Sequence, residues 1–236
     1  MGAALAGLTA ARTSDVQHVF DVGFDPEVPW AQQVSAFIGA MTLKAIGASE
    51  GELLLHSGAV SDPSGSVALL CGRSGSGKST LTARLTQAGL AYLTDETVRL
   101  DPISLRVTPF RRPALLKSGS HRVLPHLCPP GATPGEGAWV IAPAALGGAP
   151  VPDVPLLTRL LVFPRYDRKA SACTSEPMTP AQAAFELGEQ SSRLQLVRGG
   201  PLPALARLVR RGPAYRLHYS DGAAAATVVR ELLATA

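Results

Sequence analysis

Residues 71–80, "CGRSGSGKST", constrain the fold of this chain more than any other stretch. They follow a short apolar run, "SVALLC", and they precede helix-forming residues that end at Gly89. Gly72–Ser79, here called the glycine-rich loop, matches the pattern G-x-x-x-x-G-K-[ST] at every fixed position. Such a loop joins a buried strand to a helix. The stretch therefore predicts a strand, a tight loop and a helix, an arrangement that belongs in an α/β fold.

Further apolar runs extend the alternation of strands and helices. "GELLLHSGAV" and "LLTRLLVFPRY" are typical of strands, "YRLHY" predicts another, and "LAYLTDETVRLDP" predicts a strand, an acidic turn and a second strand. Apolar residues at helical spacing predict helices over residues 30–47, 79–88, 202–210 and 222–235. We therefore expect an α/β domain with a mixed, mainly β sheet flanked by helices.

Two further helix starts carry local signals. Thr179 can cap a helix, Pro180 suits the first helical position, and Gln182 completes a capping box. Asp221 precedes the last predicted helix in the same way. These signals predict helices that begin at residues 180 and 222.

The length of 236 residues fits one large domain with a small addition. We predict that residues 1–49 form an N-terminal strand, over 16–23, and a helix packed on a main domain of residues 50–236. Residues 129–155 are rich in proline and glycine, as in "PPGATPGEG". This segment is either a mobile functional loop or a solvated connector.

Composition narrows the class of protein. The net charge of +4 is mild and aromatic residues make up 5% of the chain, so nucleic acid is not an expected partner. The three cysteines lack metal-ligand spacing, which indicates free thiols in a reducing compartment. The sequence shows neither a membrane-spanning run nor a secretory leader, so we expect a soluble cytoplasmic protein and no membrane partner.

The residue types of the glycine-rich loop indicate that it binds phosphate. Glycines let successive backbone N–H groups turn inward, and the following helix points its positive dipole end at the same spot. The ammonium of Lys78 can reach terminal phosphates, and the hydroxyl of Ser79 can bind Mg²⁺. The pattern predicts an ATP and Mg²⁺ site whose nucleotide-binding residues are Gly72, Ser74, Gly75, Ser76, Gly77, Lys78, Ser79 and Thr80.

The acids Asp95 and Glu96 end the apolar stretch "AYLT", sixteen residues after Ser79. Phosphoryl transfer needs a carboxylate that handles the metal or the attacking hydroxyl. Neighbouring side chains on an extended strand point in different directions, so one acid can act as base while the other binds metal. We predict Asp95 as a catalytic residue and Ser79, Glu96 and Asp95 as metal ligands; a plain acidic turn is the alternative.

His56, within "LLLHSGAV", is by its residue type more typical of a hydrogen-bonded core histidine than of a catalytic one. Basic residues are concentrated in two stretches of the sequence. They could neutralise charge on a phosphoryl group, or they could simply form a solvated face. They are Arg111, Arg112, Lys117, Arg122, Arg165, Arg168 and Lys169.

The order of "LLLHSGAV", "GRSGSGKST", "AGLAYLTDE" and "FRRPALLK" resembles the catalytic domain of HPr kinase/phosphorylase. More closely, it resembles the short HPr-kinase-like proteins of bacterial peptide-modification clusters, including lasso peptide clusters. The resemblance implies a P-loop kinase domain of HPr-kinase type that transfers the γ-phosphoryl group of ATP to a serine of a peptide or small protein. It implies catalytic roles for Asp95, His56 and Lys78, and a homo-oligomer is possible.

The chain also departs from that family. The family's "E-I-R-G-L-G" stretch is missing, and Glu96 stands where aspartate is usual. The reverse reaction and HPr as the substrate are therefore open. Three alternatives remain: an ATP-binding sensor or accessory protein of a peptide-maturation assembly, a transport ATPase subunit, suggested faintly by "ELGEQSS", and a small-molecule kinase.

Overall fold

The computed structural model describes residues 25–135 and 137–236. The strand predicted over residues 16–23 lies outside this range. Within the described residues, groups of strands are separated by helices. The helices are α1 (Trp30–Ala48), α2 (Lys78–Gln87), α3 (Ser118–His121), α4 (Pro180–Gln190), α5 (Pro201–Arg211) and α6 (Gly222–Ala234).

Twelve strands occur in the described part of the chain. They are β1 (Leu53–Leu55), β2 (Ser57–Ser61), β3 (Ser66–Cys71), β4 (Ala91–Thr94), β5 (Val98–Leu100), β6 (Val107–Thr108), β7 (Ala114–Leu116), β8 (Trp139–Ile141), β9 (Leu157–Tyr166), β10 (Thr174–Pro177), β11 (Ser191–Ser192) and β12 (Ala214–Tyr219).

The chain divides into two compact units. One contains α1 together with Arg111–Leu146, and the other contains Ser49–Phe110 and Gly147–Ala236. The predicted division placed all of residues 50–236 in one domain, whereas the structure groups Arg111–Leu146 with the N-terminal helix. Every residue predicted for the site lies in the second unit.

The second unit is built on a six-stranded sheet in the order β10-β12-β9-β3-β2-β4. The pairs β12–β9 and β9–β3 are parallel, and the other pairs are antiparallel. A smaller antiparallel sheet follows the order β11-β1-β5-β6. The α/β class with a mixed sheet flanked by helices is therefore confirmed.

Two apolar clusters hold the second unit together, each containing residues of the six-stranded sheet. One includes Leu69 and Phe163 and involves the small sheet, α4 and α5. The other includes Leu70 and Val162 and involves α2 and α6. Neighbouring residues of β3 and β9 thus alternate between the clusters, as side chains on a strand do. Since the sheet is covered on both faces, its central strands are apolar throughout rather than alternating with polar residues.

In the first unit, β7 and β8 form an antiparallel pair and the ring of His121 stacks on Trp139 with centroids 3.7 Å apart. His121 Nδ1 accepts a hydrogen bond from Gly135 N, and Nε2 lies 2.9 Å from Leu116 O. These contacts fit the tautomer in which Nε2 donates to the Leu116 carbonyl while Nδ1 accepts.

The predicted helices are all found, with ends within a residue or two of those expected. One strand prediction and one loop prediction differ from the structure. "GELLLHSGAV" is two strands, β1 and β2, that belong to different sheets, and the Pro- and Gly-rich segment 129–155 contains β8. The apolar "WVI" explains the second change, because Trp139 is buried in the first unit. No helix in residues 25–135 or 137–236 has the length and apolar character needed to cross a bilayer.

The capping box predicted for α4 is confirmed. Gln182 N donates to Thr179 Oγ1 at 3.3 Å, and Thr179 N donates to Gln182 Oε1 at 2.9 Å. Both bonds satisfy amides that the helix itself leaves unpaired.

We expect Thr179→Ala to lower the free energy of unfolding by about 1 kcal/mol, because the alanine cannot accept the amide proton. Thr179→Ser, which retains the hydroxyl, is the matched control and should stay within a few tenths of a kcal/mol of the parent. Urea denaturation of the three proteins measures the difference. Equal losses in the two variants would show that the hydroxyl is not the stabilising group.

Candidate functional site

The strand pairing brings the predicted site residues to one edge of the six-stranded sheet. β3 ends at Cys71, which pairs with Ser57 at the start of antiparallel β2. Ala59 of β2 pairs in turn with Thr94 at the end of β4. The glycine-rich loop, His56 and the acidic turn therefore share this edge. With neighbouring strands about 4.8 Å apart, the ends of β3 and β4 are separated by about 10 Å.

The glycine-rich loop uses two residues with positive φ. Gly75 has φ 85° and Gly77 has φ 98°, values in or near the left-handed region that favours glycine. Between them, Ser76 N donates to Arg73 O at 3.2 Å and closes a tight turn. A Cβ at Gly77 would lie 2.4 Å from the hydroxyl of Tyr219, so this glycine is also required for space.

The ammonium of Lys78 spans the loop. Its Nζ donates to the carbonyl oxygens of Gly72 and Arg73, the latter at 3.0 Å, and the residue is 6% exposed. The side chain of Arg73 instead pairs with Glu189 of α4 at 2.9 Å. The structure therefore holds one positive charge within the loop and directs another toward α4.

Helix α2 starts directly from the loop. Leu81 N donates the first intrahelical bond, to Gly77 O at 2.8 Å, and glycine at this cap position offers no side-chain acceptor. The first turn therefore presents the positive end of the helix dipole to the loop. Ser79 and Thr80 lie half-buried on this turn. The hydroxyl of Ser76, within the loop, is buried. It packs against Gly72 and has no hydrogen-bond partner within the described residues.

The acidic turn is formed where the chain leaves one sheet for the other. β4 belongs to the six-stranded sheet and β5 to the small sheet, so the residues between them cross from one to the other. Thr94 Oγ1 accepts from Glu96 N at 3.3 Å and from Thr97 N at 3.4 Å. A register shift in the β2–β4 pairing immediately precedes this turn. Such bulges bend a strand and redirect the side chains beside them.

The two adjacent acids have different surroundings. Asp95 is 1% exposed and accepts a hydrogen bond from the Tyr92 hydroxyl at 3.1 Å. The Glu96 side chain is 39% exposed and its Oε1 lies 3.1 Å from Nδ1 of His56. The structure therefore separates a buried carboxylate from a solvent-facing one. The bend that follows Thr94, and not strand alternation, turns the two side chains apart.

His56 lies between β1 and β2 and not within a strand. Its backbone N donates to Gln190 O at 2.8 Å, and Ser57 N donates to Glu96 O at 3.1 Å. The side chain is 40% exposed, so the expectation of a core histidine from its residue type is wrong. A carboxylate at Nδ1 favours the tautomer with hydrogen on that nitrogen, which leaves Nε2 as the acceptor.

Beneath the loop, Cys71 is fully buried. Burial raises the pKa of its thiol to about 12, although the neighbouring Ser57 hydroxyl and the charge of Lys78 act in the opposite direction. This thiol is therefore protonated at neutral pH and packs as a small apolar group.

The basic residues predicted from the sequence separate into two groups. Arg165 pairs with Glu186 at 2.9 Å, and Arg168 and Lys169 are exposed in the turn after β9. The others belong to the first unit, where Arg112 is 3% exposed and does not form part of a solvated face.

Sequence reasoning did not identify Tyr92, Tyr166 or Tyr219. Tyr92 precedes Asp95 by three residues in "YLTD", and this spacing does not by itself indicate a contact between the two side chains. In the structure, the Tyr92 hydroxyl donates to the Asp95 carboxylate across the bulge at the end of β4. Tyr166 and Tyr219 end β9 and β12, and their rings meet edge to face with centroids 5.7 Å apart. Burial raises the pKa of the Tyr219 hydroxyl above its ordinary range, so this group stays protonated.

No cluster of three or more histidine, cysteine, aspartate or glutamate side chains that could hold a metal occurs within the described residues. The side chains at this edge that could offer oxygen ligands to a cation are those of Ser79, Glu96 and Asp95, and oxygen is the ligand atom that Mg²⁺ prefers. No protein-family model matches the chain, and no curated protein matches it at a significant level.

The contact between Gly77 and Tyr219 gives a test of the loop geometry. We expect Gly75→Ala to cost about 1–2 kcal/mol, because alanine must adopt a left-handed conformation there. Gly77→Ala should cost more, because its methyl group also meets the Tyr219 hydroxyl. Thermal unfolding of the two variants measures this difference.

The double variant Gly77→Ala/Tyr219→Phe isolates the contact. Removing the hydroxyl should bring the cost of Gly77→Ala, measured in the Tyr219→Phe background, close to that of Gly75→Ala. If the cost of Gly77→Ala is the same in both backgrounds, the hydroxyl does not limit the space at residue 77.

Proposed function

We propose that this chain is an ATP-dependent serine kinase of HPr-kinase-like type. It would transfer the γ-phosphoryl group of ATP to a hydroxyl of a peptide or small protein. One observation carries the proposal: the pairing of β3, β2 and β4 brings the lysine-containing loop and the Asp95–Glu96 turn to the same edge of the sheet. These are the two components that phosphoryl transfer requires, a phosphate cradle and a carboxylate.

The loop fits an anionic ligand. It leads directly into the positive end of α2, glycine at the cap position supplies no competing oxygen, and Lys78 adds a positive charge. In this proposal Lys78 exchanges its bonds with the loop carbonyls for bonds with terminal phosphate oxygens. The backbone amides of the loop and of Ser79 and Thr80 would hold the remaining oxygens.

Mg²⁺ would neutralise charge on the β- and γ-phosphates when bound, and Ser79 with Glu96 would hold it in the proposed site. Glu96 is suited to this role because it is half-exposed and turned toward solvent. Its contact with His56 would then orient the imidazole and the metal-binding carboxylate together.

Asp95 is the proposed base. The serine oxygen attacks the γ-phosphorus, the bond from that phosphorus to the β,γ-bridging oxygen breaks, and ADP leaves. The serine proton passes to the carboxylate of Asp95, whose orientation is held by the Tyr92 hydroxyl. Burial of a carboxylate strengthens its electrostatic interactions, which suits a group that must accept a proton beside phosphate.

A second function is favoured by the same burial. A side chain that is 1% exposed is reached by an acceptor hydroxyl only if the surrounding turn moves. A protein that binds ATP without transferring phosphate, as a sensor or accessory component of a peptide-maturation assembly, needs no such access. Measurement of ATP binding separately from phosphoryl transfer distinguishes these functions.

We expect Lys78→Ala to weaken MgATP binding by about ten- to a hundredfold, because a charge-assisted hydrogen bond to phosphate is lost. Isothermal titration calorimetry measures this, with Lys44→Ala, an exposed lysine on α1, as the matched control. A parent protein that fails to bind MgATP, or a Lys78→Ala variant that binds it as the parent does, would exclude the proposed phosphate site.

Asp95→Asn tests the transfer step. We expect it to leave MgATP binding within about twofold of the parent and to lower phosphoryl transfer by about a hundredfold or more, because amide nitrogen and oxygen cannot act as the base. Labelled ATP is incubated with serine-containing peptides as acceptors, and ADP release without peptide is followed in parallel. Asp153→Asn, at an exposed position, is the control.

Two results would change the assignment. Transfer that persists in Asp95→Asn would remove Asp95 as the base and leave His56 as the alternative candidate. A parent protein that binds MgATP but releases no ADP and labels no peptide would favour the sensor function.

A further inference from the structure

Tyr166 is an exposed aromatic residue beside the glycine-rich loop. It is the last residue of β9 and is 44% exposed, although β9 is otherwise mostly buried. Its backbone N donates to Ser76 O at 3.4 Å, and its Cβ lies 3.4 Å from the position that a Cβ at Gly77 would take. The ring therefore begins directly next to the loop.

The ring of Tyr166 is supported from the interior. Tyr219, on neighbouring β12, meets it edge to face with an interplanar angle of 64° and is itself 3% exposed. Parallel pairing of Tyr166 with Tyr219 fixes both backbones at this edge of the sheet. An aromatic ring that is held by a buried partner and still open to solvent offers a ready surface for a flat ligand.

The position of Tyr166 relative to the acids decides which part of a ligand it would meet. In the order β9-β3-β2-β4, the loop follows β3, the acids follow β4, and Tyr166 ends β9. Tyr166 and Asp95 thus lie on opposite sides of the loop. If the γ-phosphate faces Asp95, the rest of an extended nucleotide points across β3 toward β9.

We propose that Tyr166 is the stacking platform for the purine base of the bound nucleotide. This inference rests on the proposed function and adds to it the part of the site that recognises the nucleoside. Every base has a π face, so stacking on tyrosine gives affinity with little preference between adenine and guanine. Tyr219 acts as a positioning residue, because it contacts the Tyr166 ring and not the base.

The experiment compares MgATP with magnesium tripolyphosphate, which has the same chain of phosphates and no base. Tyr166→Ala should weaken MgATP binding by about tenfold and leave tripolyphosphate binding within twofold of the parent. Tyr166→Phe retains the ring and should bind both as the parent does. Phe185→Ala is the matched control, because Phe185 is exposed on α4, which packs on the other face of the sheet.

A second measurement does not depend on the stability of the alanine variant. Tyr166→Trp places a fluorophore at the platform, and MgATP should quench its emission whereas tripolyphosphate should not. The parent protein, which contains Trp30 and Trp139, gives the background signal.

The outcomes separate this inference from the function on which it rests. A parent that binds neither MgATP nor tripolyphosphate removes the phosphate site and the platform together. A parent that binds both, with Tyr166→Ala weakening neither or weakening both equally, overturns the platform and leaves the phosphate site intact. Loss confined to MgATP, with binding retained in Tyr166→Phe, supports the platform.

Discussion

The architecture of the candidate site depends on two chain crossings between the six-stranded sheet and the small sheet. The chain crosses at His56, between β1 and β2, and again at Asp95–Thr97, between β4 and β5. Because β1 pairs with β5 and β2 pairs with β4, the two crossings are held side by side. The hydrogen bond from Ser57 N to Glu96 O joins them directly. These two strand pairings, β1 with β5 and β2 with β4, are what place His56 beside Asp95 and Glu96 at the edge where β3 ends.

The same edge collects contributions from elements that are far apart in sequence. β9 ends there beside the glycine-rich loop, and the end of α4 reaches it through Glu189, which pairs with Arg73, and through the Gln190 carbonyl, which binds His56 N. Parallel strands place their carboxyl ends at one edge, and the antiparallel neighbours place their turns there. The edge at which the carboxyl ends of the parallel strands meet is the usual location of ligand sites in α/β sheets. The proposed kinase activity and nucleoside platform both use it.

Much of the local structure could be predicted, because its causes lie within a few residues. The capping box at Thr179, the cap at Asp221 and the strand, loop and helix around Lys78 follow from short patterns. Two predictions failed for a different reason. No residue of "GELLLHSGAV" indicates that the strand is interrupted at His56. The interruption arises because β1 pairs in the small sheet whereas β2 pairs in the six-stranded sheet. The proline and glycine content of 129–155 gave no indication of β8, which pairs with the distant β7 and whose buried Trp139 stacks on His121.

By itself, the sequence determined the α/β class, the loop with its single lysine and the presence of two adjacent acids after an apolar strand. Each of these is a local property of residue type and spacing. Only the tertiary structure decided that Asp95 is buried against Tyr92 while Glu96 faces His56, and that Tyr166 borders the loop on the side opposite the acids. The physical reason is that strand order and burial arise from pairing between distant segments. Such pairing depends on the whole apolar core and is encoded in no short stretch of the chain.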